Sequence, residues 1–169
     1  MAEELTDTEK RKLGIDLFNE TWTYLDRHER TAEDDDRMLE RAYASAYYWS
    51  QVGKPENFAR SHWQLSRVWA VLGQAQPALY HARRCLDYCE ANDIYGWDRP
   101  FAYEAFARAY AAAGDAAETL RYLALAREHG ERIEEKGDRD HFFSELATVV
   151  PPDQSEAMPT RSSASSARA

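Results

Sequence analysis

The chain has 169 residues, 44% of them hydrophobic and 30% charged, with a formal net charge of −9. That length points to one domain, and ten Tyr with five Trp supply enough apolar bulk for a sizeable core. The excess acid lies in residues 1–54 and 109–169 while 55–108 are balanced, so no segment carries the basic footprint of nucleic-acid or anionic-membrane binding.

No run approaches the roughly 18–20 apolar residues of a membrane span, and MAEELTDTEKRK offers no signal-peptide core, so a cytoplasmic protein is expected. Almost every segment then reads as helix. From Thr8 to about Arg27, Leu13, Leu17, Phe18 and Leu25 form one apolar stripe, with Thr8 or Asp7 as cap. Glu33, Asp34, Asp35 and Asp36 open a second helix, where negative charge meets the positive end of the backbone dipole. It carries Leu39, Ala42, Tyr43, Ala46 and Trp49 and stops near Gly53-Lys54-Pro55, with Gly53 suited to a left-handed cap. Tyr43, Tyr47, Tyr48 and Trp49 cannot all face one core. Tyr43 and Trp49 are assigned to the core, and the others to a groove or a subunit contact.

A third helix runs from about Glu56 to Leu72 and ends at Gly73. A fourth runs from about Gln76 to Ala91, with Pro77 in its first turn. Asp98 is expected to cap a fifth helix that ends at Gly114-Asp115. The sixth starts near Ala116 and reaches as far as Glu135, and Gly137 ends it. Asp138 can cap a short seventh helix through Leu146, a lid for the open end of a helical stack. The hairpins are thus about 8–52, 56–91 and 98–135, with a capping helix at about 138–147. From Pro151 to Ala169 the Pro/Ser/Ala-rich composition predicts a disordered tail.

An internal echo ties the middle elements together. Leu65, Ser66, Trp69, Gly73, Ala78, Ala82 and Cys85 line up, 41 residues on, with Phe106, Ala107, Tyr110, Gly114, Thr119, Leu123 and Ala126. A fixed period of this size indicates stacked helical hairpins. The pattern resembles the tetratricopeptide repeat: a large, a small and an aromatic residue, a turn glycine, then small residues at fixed places. The period exceeds the roughly 34 residues usual there, as in kinesin light chain repeats, and the proline that closes each repeat is missing. The resemblance covers about residues 56–130, and residues 8–52 form a looser hairpin. It implies an all-α, right-handed superhelix of antiparallel hairpins.

The resemblance also implies a concave groove lined by each hairpin's first helix. There Arg60, Trp63 and Arg67 are matched by Phe101, Glu104 and Arg108. Arg67 and Arg108 occupy equivalent positions and can meet one carboxylate or phosphate with forked hydrogen bonds. Trp63 adds apolar contact area. Equally, Glu104 and Arg108 are an ordinary pair four residues apart, and Trp63 can simply pack on the preceding hairpin. The expected role is non-catalytic: holding a peptide or protein segment, with self-association possible and no cofactor. A small-molecule or sensory pocket using the arginines and Trp63 is the alternative. Enzyme chemistry rests only on His62 or His81 beside Glu104. His81, Cys85 and Cys89 share a helix face but lack a paired zinc motif, so no metal is expected, and the cysteines read as free thiols.

Overall fold

The computed structural model describes residues 4–153. Among them are seven α-helices and no strand: α1 (Asp7–Leu25), α2 (Ala32–Val52), α3 (Pro55–Val71), α4 (Ala75–Ala91), α5 (Asp98–Ala112), α6 (Ala116–Gly130) and α7 (Lys136–Leu146). α1 packs on α2, α3 on α4 and α5 on α6, giving three hairpins. α2 also meets α3 and α4 meets α5, while α3 touches both α1 and α5. The first helices therefore lie side by side, with their partners behind them. Most of the core is one cluster from α3 to α7; a smaller one, around Tyr24, Met38, Ala42, Leu65 and Val68, joins α1 and α2 to α3.

The 41-residue echo has a direct structural counterpart. Gly73 and Gly114 end α3 and α5 with φ of 71° and 74°. The next residue's amide bonds back to Trp69 O in one hairpin (2.9 Å) and Tyr110 O in the other (3.0 Å). This six-to-one closure satisfies helix-end carbonyls and needs the left-handed conformation that glycine adopts without strain. Ser66 Oγ donates to Ala78 O at 2.8 Å, inside the hairpin, which explains a small residue there.

Several helix ends differ from expectation. Thr6 caps α1, and Thr31 caps α2, each in a reciprocal box, with Glu9 and Asp34 respectively. Gly53 is not left-handed: its φ is −82° and ψ 175°. It is glycine for space, because a Cβ would lie 2.6 Å from Trp49 O. Asp98 lies inside α5, whose N-cap is Trp97, and its carboxylate is taken by Arg60. α6 stops at Gly130 rather than Glu135, because the chain turns there to bury Ile133. Gly137 does not end a helix; it lies in the first turn of α7, after the N-cap Glu135. The expected tail lies outside the described residues from 154 onward, and 151–153 have no regular structure.

Candidate functional site

The two stripes expected to face a ligand, Arg60-Trp63-Arg67 on α3 and Phe101-Glu104-Arg108 on α5, do lie against each other. They are not free of packing. Trp63, Phe101 and Glu104 are buried, Glu104 completely (0% exposed). Trp63 Nε1 donates to Glu104 Oε2 at 3.2 Å. Arg67 Nη1 donates to Glu104 Oε1 at 3.3 Å, and Arg108 Nε donates to the same oxygen. The two equivalent arginines thus converge on a carboxylate, and the chain itself supplies it. Burial pushes the Arg108 guanidinium below its usual range, with the adjacent Glu104 opposing.

A second acidic group closes the network from α7. Arg67 Nη2 donates to Glu145 Oε2 at 2.8 Å. Arg108 Nη2 donates to Glu145 O at 2.9 Å and to Thr148 Oγ1 at 2.6 Å. Beside it Phe142 meets Phe101 edge-on, with ring centroids 4.9 Å apart. α7 is therefore more than an end cap: it lies along the face where a ligand was expected. The sequence carried no signal for Glu145 and Thr148 as partners, because α7 belongs to no repeat.

Arg60 ends up elsewhere. It grips Asp98 with two hydrogen bonds, 2.7 and 3.0 Å, and stacks 4.8 Å from the Trp97 ring. Bonding to Asp98 raises its pKa. Beyond it a cavity of about 320 Å³ opens between α1, α2 and α3, lined by Ile15, Phe18, Asn19, Trp49, Asn57, Arg60 and Ser61. Ile15 stands 49% exposed at its edge. Trp49 lies flat enough on α1 that a Cβ at Gly14 would come within 2.9 Å of its indole. The cavity combines apolar walls with carboxamide, hydroxyl and guanidinium groups, the composition of a small-ligand or side-chain pocket. Sequence reasoning missed it. Ile15 falls off the apolar stripe of α1, which was the available signal.

The histidines are not beside Glu104. His62 Nδ1 and His81 Nδ1 lie 2.9 Å apart, and Tyr43 OH lies 3.2 Å from His81 Nε2. Trp69 Nε1 donates to Tyr43 OH at 2.9 Å. The chain is satisfied when Tyr43 donates to His81 Nε2 and His81 Nδ1–H donates to His62. Burial lowers both imidazoles to about 4, with the Arg84 charge adding to the effect on His62 and His62 to that on His81. Tyr43, assigned to the core from sequence, is 44% exposed and serves as the polar link. Cys85 and Cys89 are free and buried. Among the described residues no group of three or more His, Cys, Asp or Glu is placed to hold a metal ion, and no helix is long and apolar enough to cross a membrane.

Comparison with protein-family models, curated proteins and solved structures returns no significant match.

Proposed function

We propose that this protein is a non-catalytic binding module, built of tetratricopeptide-like hairpins, that holds a peptide or protein segment across α1 and α3. The α1–α3 cavity carries this reading. Its volume of about 320 Å³ suits one bulky side chain better than a whole cofactor. An apolar anchor would enter between Ile15, Phe18 and Trp49. Asn19 and Asn57 offer carboxamides to the peptide backbone beside it. The superhelical, right-handed stacking of the hairpins belongs to the same proposal, supported by the shared helix-end geometry at Gly73 and Gly114 and by the contact of α3 with α1 and α5. Between Arg67 and Arg108 the groove is bridged by Glu145 of α7, which adds rigidity there, and a cavity of about 200 Å³ remains beside Arg108, lined by Ala70, Val71, Thr148 and Val149.

Selection of a random-peptide library on the full chain tests this. Enriched peptides should share one bulky aliphatic or aromatic anchor. Ile15→Glu, at an exposed edge position, should weaken them by about tenfold or more, since a charge facing an apolar anchor costs roughly 1–3 kcal/mol. Peptides without a common anchor, or binding indifferent to that substitution in a folded variant, would remove the cavity from the function.

A further inference from the structure

A second cavity lies far along the chain from the first, where the α4–α5 loop meets the end of α6. It measures about 120 Å³ and is lined by Tyr95, Gly96, Arg99, Pro100, His129 and Arg132. No acidic side chain lines it, although the chain as a whole carries −9. Arg60, Arg108 and Arg132, which also line cavities, each have a carboxylate partner: Asp98, Glu104 and Glu128 respectively. Arg99 has none. Its Nη2 makes one long bond, 3.3 Å, to Cys89 O, and its Nε is buried with no acceptor. Its guanidinium carbon sits 4.4 Å from the centroid of the Tyr95 ring. That contact holds a flat, five-donor group in place without neutralising it.

Arg132 and the ionisable His129 share the cavity with Arg99. His129 is held below the usual imidazole range, first by burial and then by Arg132 and Arg99, with Glu128 opposing. The first turn of α5 has no side-chain cap, and its acidic residue, Asp98, is taken by Arg60, so its amides add partial positive charge from Arg99's own helix. A larger cavity, about 400 Å³, adjoins through Tyr95, Gly96 and Arg132 and is walled by Trp97 and Ile133. Acidic Glu134, Glu135 and Asp138 also line it.

We propose that Arg99, with His129 and Arg132, forms a binding site for the carboxylate or phosphate end of a small organic anion whose body lies in the larger cavity against Tyr95 and Trp97. Two oxygens on one centre match the guanidinium fork, and the half-buried position of Arg99 makes each bond stronger than at an open surface. The ring faces of Tyr95 and Trp97 suit a planar or apolar body. The site shares no residue with the α1–α3 cavity, so it is independent of the peptide-binding proposal.

Phenyl phosphate and phenylacetate are the probes, titrated separately into the full chain at low salt and followed by NMR. At least one should saturate, and the anion it accepts identifies the ligand class. Binding should raise the His129 pKa, since a bound anion favours the imidazolium. Arg99→Gln should weaken binding about tenfold or more. Arg132→Gln, at an exposed position, should weaken it less, and provides the reading if the Arg99 variant does not fold. Arg127→Gln, on α6 but outside the cavity, should leave it unchanged, as should Ile15→Glu. The proposal is overturned if neither probe saturates by about 10 mM. It is equally overturned if Arg127→Gln matches the loss at Arg132, which is the behaviour of general charge attraction.

Discussion

Glu104 shows how much one residue can carry. It accepts from Trp63, Arg67 and Arg108 with no surface exposed to water. Removing one partner of a buried charge cluster leaves the others uncompensated, typically costing 3–5 kcal/mol. Glu104→Ala should therefore lower unfolding stability by about 3–5 kcal/mol in urea titrations, and a loss below 1 kcal/mol would show that water already shares this charge. The histidines make a second residue-level prediction. Their folded pKa values, about 4, lie below the ordinary 6.5. The unfolded chain therefore takes up protons first as pH falls. Stability from this pair is complete above about pH 6.5, declines between 6.5 and 4, and declines no further below that. Tm measured across that window should fall, and His62→Phe, which keeps a ring against Tyr88, should flatten the fall. The equivalence of Arg67 and Arg108 was legible in the sequence, because both follow from one period. Their acceptors were not, since Glu145 lies outside the repeat and Glu104 reads equally as a local helix pair.

At the scale of helices, the strong punctuators were legible and the caps less so. Gly73 and Gly114 mark turns because each sits at φ above 70°, a conformation that excludes most side chains. Asp98 misled for a physical reason: an aspartate before a helix has cap chemistry, but Arg60 offers it two charge-assisted bonds from α3. Such a competitor is 38 residues away and invisible to local pattern. Gly130 shows a different constraint. It is helical, and a Cβ there would lie 2.2 Å from Phe142 Cε1. Glycine to alanine within an unobstructed helix stabilises by roughly 0.5–1 kcal/mol. Here the sign should reverse, with Gly130→Ala destabilising by about 1–3 kcal/mol through overpacking against α7. Thermal unfolding of this one variant distinguishes the two: a raised Tm would mean that α7 yields readily.

For the whole molecule, the position of α7 decides how much groove remains. A lid at the end of the stack was legible from the need to cover the last hairpin's apolar face. That the lid also runs along the α3–α5 face was not, because nothing in the local sequence of α7 encodes its neighbours. Phe142 is fully buried against Phe101, and Leu146 and Val149 join the same cluster. Phe142→Ala should cost about 3–5 kcal/mol, the usual range for emptying an aromatic core site. The pattern of the loss matters more than its size. α7 packs on α5 and α6 and reaches α3 through the Arg67–Glu145 bond, while α1 and α2 form their own cluster with α3. Opening should therefore begin at residues 136–149 and free Arg67 and Arg108 from Glu145. In amide hydrogen exchange, Phe142→Ala should accelerate α7 most, α5 and α6 less, and α1 and α2 least. An equal acceleration in α1 would mean that the stack opens as one unit, and the α1–α3 cavity could then not bind independently of how α7 is seated.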